Sequence, residues 1–302
     1  MSLPRAVVQH AAELRADAAI TADRAETKYL LGRNAVRAFV QLASAKLHVH
    51  RFVGEGANLL PDAHHYVTSI YFDSPSFVHY RAAVADAEHN VKIRAREYYD
   101  LMPSLAELAT DPGQIVRYQP WVWFEVKRRV EGRSQKLRFR LDKHDVPQFF
   151  CGEVEADPTG RGRRLDTQEA PELVEARGAS AREQRIDARA EIVAYLRTLD
   201  EPLVPSCIVN YRRLALQDAT ANLRVTIDVD VGFYAVPHDL WTRSTALVRG
   251  TFGSPAGSEP SALVEVKCAG PTPAWIEREL TRLGVRAVSY SKFVHAARAV
   301  HG

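Results

Sequence analysis

The chain has 302 residues, 46% hydrophobic and 25% charged, with a formal net charge of +3; this suits a folded protein with a sizeable core and excludes a basic coat for nonspecific nucleic-acid binding. Its cysteines, Cys151, Cys207 and Cys268, stand far apart with no CxxC pair, which excludes a disulfide framework and a cysteine zinc site. No stretch approaches the ~18 apolar residues of a membrane span, and Arg5, His10, Glu13, Arg15 and Asp17 interrupt the start of the chain where a signal peptide would be apolar, so a cytoplasmic location is expected.

Residues 1–22 are Ala-rich and read as an arm, and residues 23–302 as one domain. Ala25 to Leu31 reads as a strand and Asn34 to Lys46 as a helix, with Val36, Phe39, Val40 and Ala43 at helical spacing. Tyr66 to Asp73 is a strand ended by Ser74-Pro75. Strands follow near 91–98, 121–130 and 134–141, the last two joined as a hairpin at Glu131-Gly132-Arg133, and Val146 to Phe150 reads as a short helical turn. A segment rich in Gly, Pro and charge begins at 152 and runs into a helix over Ala181 to Leu199, so 152–199 is an insert of loop and helix. Strands are expected at 203–216, 222–232, near 245–249 and at 262–268. Trp275 to Leu283 and Ser291 to Val300 are the closing helices, the first following Pro273.

These strands carry charge on one face. In Val91-Lys92-Ile93-Arg94-Ala95-Arg96 the three cations point the same way, because side chains alternate along a strand. Glu125, Lys127 and Arg129 do likewise, as do Lys136, Arg138 and Arg140, while the residues between them are mostly apolar. Arg224 with Asp228, and Glu265 with Lys267, continue the pattern. Like charges abreast across a sheet are destabilising unless something offsets them, and a polyanion such as a polyphosphate or nucleoside triphosphate would do so. The expected fold is α+β: a closed antiparallel β-barrel of about eight strands, its cations inside a tunnel and its helices packed outside.

The ordered set of motifs resembles the catalytic domain of the vacuolar transporter chaperone (VTC) family. That family comprises polyphosphate polymerases within the triphosphate tunnel metalloenzyme superfamily, whose fold is called CYTH-like. The matching pieces are Arg24-Ala25-Glu26-Thr27-Lys28-Tyr29, Ser69 to Asp73, Lys92-Ile93-Arg94-Ala95-Arg96, Glu125-Val126-Lys127 and Ser134-Gln135-Lys136-Leu137-Arg138. They continue with Tyr211-Arg212-Arg213, Leu223 to Asp228, Leu263-Val264-Glu265-Val266-Lys267 and Ser291-Lys292-Phe293. The resemblance implies an ATP-dependent polymerase that transfers the terminal phosphate of ATP to polyphosphate. Lys28, Arg94, Arg96, Lys127, Lys136, Arg213, Arg224 and Lys292 would be its catalytic phosphate-binding residues, with Arg138 and Lys267 as further phosphate contacts. Glu265 would hold a divalent metal, Mn2+ or Mg2+. ATP and polyphosphate or pyrophosphate are the implied ligands, nucleic acid is not, and a membrane-protein partner would place the chain at the inner face of a membrane. Two positions depart from the pattern: Arg24 stands where the wider superfamily opens with Glu, and Ser289 where the polymerases tend to carry Lys.

Blander readings stand beside these. A metal-dependent triphosphatase or cyclase of the same fold, or a non-catalytic polyphosphate-binding domain, would use similar cations. Asp228 could pair with Arg224 along its own strand, and Tyr211 reads as a packed residue. His48, His50, His64 and His65 lack a third ligand at suitable spacing and read as loop or surface histidines. Cys207 and Cys268 read as small apolar packing groups, and the Arg161 to Arg164 run as a solvated loop.

Overall fold

The computed structural model describes residues 25–49, 64–86, 89–99, 121–130, 133–151, 188–220, 222–241, 247 and 249–302. The expected N-terminal arm, Arg24, His50, most of the insert and the Arg161 to Arg164 run lie outside the described residues. The strands are β1 (Ala25–Leu31), β2 (His48–Val49), β3 (His64–Asp73), β4 (Asn90–Tyr99), β5 (Trp121–Val130) and β6 (Arg133–Asp142), then β7 (Val204–Gln217), β8 (Leu223–Tyr234), β9 (Gly257–Glu259) and β10 (Ala262–Cys268). The helices are α1 (Arg33–Ser44), α2 (Val78–Ala85), α3 (Val146–Cys151), α4 (188–196), α5 (Ala274–Arg282) and α6 (Lys292–His301). The chain is thus α+β. Of the strand expected near 245–249, residues 245, 246 and 248 lie outside the described residues, and Arg249 opens a 3₁₀ turn. None of the described helices is long and apolar enough to cross a membrane.

All the strands join one antiparallel sheet in the order β1-β10-β8-β7-β3-β4-β5-β6, with β2 on β7 and β9 on β8. The β5–β6 hairpin pairs Val130 with Arg133, as expected. Among the described residues no ladder joins the edge strands β1 and β6. The sheet instead curls on itself, so that Glu26 Oε2 on β1 lies 3.6 Å from Lys127 Nζ on β5. The outer edge of β1 is covered by the chain before α6: Ala287 bridges Tyr29, and the Val288 N–H donates to the Lys28 carbonyl at 2.8 Å.

The convex face is apolar. On one half, Ile70, Phe72, Ile93, Phe124, Val126 and Phe139 pack with Phe149 of α3 and Ile192 of α4. On the other, Leu216, Val225, Ile227, Val264 and Val266 pack with Phe39 of α1 and with Ile276 and Leu280 of α5. Each such side chain contributes ~1.5–3 kcal/mol when fully buried, and these two layers hold the sheet in its curve. Helix α6 is the exception to helices packing outside. Its Phe293, Ala296 and Ala297 pack on Val67, Tyr71, Cys207, Val209 and Tyr211, and Tyr71 is the register partner of Arg94. The helix therefore sits on the concave, charged side and covers the part of it that is apolar. Ser291 caps it, its Oγ accepting from the Val294 N–H at 3.4 Å.

Helix α2 has no counterpart in the sequence reading. Asp73 creates it: the buried carboxylate accepts from the N–H groups of Ser74, His79 and Tyr80 at 2.8–2.9 Å. The His79 and Tyr80 N–H groups are donors that the helix start leaves without intrahelical partners.

Candidate functional site

Register places the charged residues together. Arg94 opposes Glu125, Glu125 opposes Arg138, Lys92 opposes Lys127, and Lys127 opposes Lys136. On the other side Arg213 opposes Asp228, Arg224 opposes Lys267, Lys28 opposes Glu265, and Glu26 opposes Lys267. All of these lie on the concave face, where they form three groups, each built round carboxylate.

The first group centres on Glu125, which is 0% exposed. Its Oε2 accepts from Arg94 Nε at 2.7 Å and lies 2.6 Å from Arg94 Nη2. Arg96 is 4.0 Å and Arg138 3.9 Å away. Arg96 also donates to Ser69 Oγ and to the Tyr98 hydroxyl, both at 3.1 Å. Burial opposes the charge of Glu125, yet Arg94, Arg96, Lys136 and Arg138 hold its carboxyl well below the usual carboxylate range. One buried anion thus fixes three guanidinium groups with donors left to offer to phosphate. Arg presents those donors as a planar fork that matches phosphate oxygens.

The second group joins Asp228 and Glu265. Arg213 grips Asp228 with both Nε and Nη2, at 2.6 and 2.7 Å. Lys292 Nζ, at the start of α6, lies 2.6 Å from Asp228 Oδ2 and 3.2 Å from Glu265 Oε1. Glu265 Oε2 lies 3.7 Å from Arg213 and 3.5 Å from the Thr226 hydroxyl. Burial works to raise the Glu265 pKa, but Lys292, Lys28, Lys267 and Arg213 hold it well below the carboxylate range, so it is ionised. The alternative in which Asp228 pairs with Arg224 along its own strand does not hold; its partners are Arg213 and Lys292. Four residues along a strand span ~13 Å, whereas a cross-strand neighbour is ~5 Å away, and Arg213 takes that place.

The third group centres on Glu26. Its oxygens lie 3.2 Å from Lys28, 3.6 Å from Lys127 and 3.3 Å from Lys267, and Lys267 foremost holds its carboxyl far below the usual range. Lys28 also donates to the Tyr290 carbonyl at 2.8 Å. Here cation exceeds anion. Burial, then the charges of Lys28, Lys127 and Arg94, lower the Lys92 ammonium to about 7. Lys127 falls to about 8, chiefly through burial and against the pull of Glu26.

Two pH windows follow, with stability rising with pH in each. The lowered carboxylates bind protons less readily in the folded state than in the unfolded one, so their stabilisation is present above pH ~4 and fades as pH falls further. The lowered lysines are also less protonated in the folded state, so stability rises with pH between ~7 and the unfolded lysine value near ~10. The free protein should therefore melt at higher temperature at pH ~9 than at pH ~7. Calorimetry across that range checks this, and a falling melting temperature would mean that Lys92 and Lys127 are solvated and ordinary.

Ten of the expected site residues share the concave face: Lys28, Arg94, Arg96, Lys127, Arg138, Arg213, Arg224, Lys267, Lys292 and Glu265. Lys136 lies on the same face of β6 but is exposed, at the rim beside Lys127. Three counter-charges complete the groups, Glu26, Glu125 and Asp228, and their partners depend on strand order, which no local motif reveals. Lys92 belongs to the face as well; its two-residue spacing from Arg94 was the signal for it. Ser289 is exposed. Tyr211 is packed, as expected, under Arg213 and Lys292, whose cations stand 5.2 and 4.9 Å from its ring. Cys207 and Cys268 are buried free thiols.

His65 departs from the surface reading. It lies buried on β3 with its ring 6.0 Å from that of Tyr98. No group of three or more His, Cys, Asp or Glu that could hold a metal occurs among the described residues. A hard cation that takes one carboxylate and completes its sphere with phosphate oxygens and water remains compatible with ionised Glu265.

No curated protein matches the chain. Among solved structures it is similar to a Hippeastrum adenylyl cyclase candidate described as having a dominant triphosphatase activity, with 15% identity, coverage of 91% of this chain and 95% of that one, and a TM-score of 0.43. It is also similar to an adenylate cyclase candidate from Bacillus halodurans, with 10% identity, 89% and 94% coverage, and a TM-score of 0.42. The VTC domain profile matches residues 23–301, which take in every strand and helix that carries the three charged groups. The chain belongs to the VTC-domain family.

Proposed function

We propose that this protein is an ATP-dependent polyphosphate polymerase, with the concave face as its site. One observation carries the reading: buried and half-buried guanidinium and ammonium groups line a single face across successive strands, and each nearby carboxylate is already committed to cations. A triphosphate spreads about four negative charges over three phosphates, so no single cation can hold it. Arg94, Arg96 and Arg138 would grip one phosphate unit, and Arg213, Lys292 and Lys28 a neighbouring one.

In the reaction, the terminal oxygen of the polymer attacks the γ-phosphorus of ATP. A P–O bond forms there, the bond from Pγ to the β,γ-bridging oxygen breaks, and ADP leaves with that oxygen. The attacking phosphate is largely ionised at neutral pH, so no general base is needed. Hydrolysis, in contrast, needs a positioned water, usually oriented by a carboxylate or glutamine. Glu26, Glu125, Asp228 and Glu265 are each held by two or more cations, which favours transfer to a polyanion over transfer to water. Mn2+ or Mg2+ bound at Glu265 would supply further charge neutralisation between adjacent phosphates. The cations of this chain supply in-line positioning and charge stabilisation.

The test is purified protein with ATP and Mn2+, followed on a gel that separates polyphosphate by length. ADP and lengthening polymer, with little free phosphate, are expected. Free phosphate in step with ADP and no polymer would replace this reading with a triphosphatase. Ligand binding should be visible without turnover. Tripolyphosphate at a hundredfold excess over its Kd should add about 2.7 kcal/mol of stability, hence raise Tm by about 5 °C. Arg94→Ala should diminish that rise, because a forked donor set is lost.

A further inference from the structure

Strand β8 carries an extra residue opposite β7. The ladder pairs Asn210 with Gly232 and Arg212 with Val229, so Asp230 and Val231 together stand opposite Tyr211 alone. This is a β-bulge, and it takes Asp230 to a φ of 54°, a left-handed conformation uncommon outside glycine. Tyr211 is the residue under the cations of Arg213 and Lys292, and Arg213 meets Asp228 just beyond the shift in register. Bulges bend the strand, increase its twist and re-aim nearby side chains. The geometry of this one therefore governs how Arg213 faces the concave side.

Arg249 clamps the bulge from the opposite side of the sheet. Its Nε donates to Asn210 Oδ1 at 3.1 Å, and its Nη2 donates to the Asn210 carbonyl at 3.4 Å and to the Asp230 carbonyl. One planar group thus ties the displaced residue of β8 to its neighbour on β7, where a bulge disrupts the ladder. A buried network brings Arg249 there. Thr68 stands in register with both Glu97 and Asn210, one polar row across three strands. Asn210 Nδ2 donates to Thr68 Oγ1 at 2.9 Å, Thr68 Oγ1 donates to the Leu247 carbonyl, and the Leu247 N–H donates to Glu97 Oε2 at 2.8 Å. Lys143 Nζ donates to Glu97 Oε1 at 3.0 Å, and neither side chain is more than 1% exposed. Leu247 is thereby fixed through both its N–H and its carbonyl, two residues before Arg249. A buried ion pair is weak as a source of stability; this one orders the segment that delivers Arg249.

We propose that Arg249 is a positioning residue for the phosphate site, fixing through the bulge the direction in which Arg213 meets its ligand. The proposal rests on the phosphate-binding reading of the concave face. Arg249 bonds to Asn210 and Asp230, not to the charged groups, so it acts through the backbone. Without the clamp the displaced residue is free to shift, and Arg213 loses the alignment that gives Asp228 two bonds, at 2.6 and 2.7 Å. Misplacing a positioned group by about 1 Å costs up to ~10²-fold in function. Asp228 still attracts Arg213 by charge, so a smaller loss is expected.

The experiment follows Arg213 itself by NMR of protein with isotope-labelled arginine, alongside titration calorimetry with tripolyphosphate. In the wild type the Arg213 Nε–H signal, identified by its loss in Arg213→Lys, should exchange slowly with water, because Asp228 accepts that hydrogen. Arg249→Ala, measured well below its melting temperature, should bind tripolyphosphate about tenfold more weakly and exchange the Arg213 signal about tenfold faster. Arg249→Lys keeps the charge without the planar fork and should fall between wild type and Arg249→Ala in both measurements; it decides the question alone if Arg249→Ala does not fold. A folded Arg249 variant that has wild-type affinity, or a wild-type Arg213 exchange rate, overturns the proposal, whatever its melting temperature. If the wild type binds no tripolyphosphate, the phosphate reading fails on that result, and the exchange rates still decide whether Arg249 aligns Arg213.

Discussion

Glu125→Ala should lower the stability of the free protein by about 3–5 kcal/mol, the usual consequence of removing one partner from a buried ion pair. Glu125 is fully buried, 2.6–2.7 Å from Arg94 and about 4 Å from Arg96 and Arg138. Its loss leaves three guanidinium groups facing one another with no anion between them. Glu125→Gln keeps the volume and should be destabilising in the same direction. Tripolyphosphate should recover part of the loss, because phosphate supplies the missing negative charge, so the ligand-induced rise in Tm should be larger in both variants than in wild type. Urea unfolding with and without ligand measures both effects. A loss below about 1 kcal/mol, typical of a surface pair, would mean that these arginines are hydrated and the face is open to water.

Glu265→Gln should leave the fold standing and lower ATP-dependent elongation by about 10²–10³-fold, the scale seen when one electrostatic element of an active site is removed. The fold persists because Asp228 keeps its grip on Lys292 at 2.6 Å and on Arg213 through two bonds. A neutral amide would bind Mn2+ or Mg2+ poorly. Metal-free binding of tripolyphosphate should strengthen, since one negative charge leaves the site. Tighter binding with slower turnover is a pairing that simple unfolding cannot produce. Unchanged elongation would reduce Glu265 to a counter-charge for Lys292.

The strands of the tunnel were legible because their charges recur at a spacing of two, and that spacing alone places Lys92, Arg94 and Arg96 on one face. The apolar residues between them, such as Ile93 and Val126, proved to be the convex core for the same reason. What local pattern could not supply was strand order. Arg94 meets Glu125 because β4 pairs with β5, and Asp228 meets Arg213, not Arg224, because β7 pairs with β8. Lys292 was recognisable as a candidate, but its route to Asp228 and Glu265 depends on α6 packing inside the curve. That placement follows from Phe293 stacking on Tyr71, with centroids 5.1 Å apart, which no periodicity encodes. Strands β2 and β9, two and three residues long, are too short to show alternation. Helix α2 escaped because Ser74-Pro75 ends a strand so plainly. The helix-starting role of Asp73 acts across several residues, and Phe77 just ahead of the helix adopts a left-handed conformation with φ of 58°, uncommon for a large side chain.

The central claim is that the concave face binds a chain of phosphates, and a crystal structure with tripolyphosphate tests it most directly. Phosphate density should lie along the concave face, one unit against Arg94, Arg96 and Arg138 and another against Arg213, Lys28 and Lys292. Density on the convex face or between molecules only, with the concave face filled by water at saturating ligand, would contradict it.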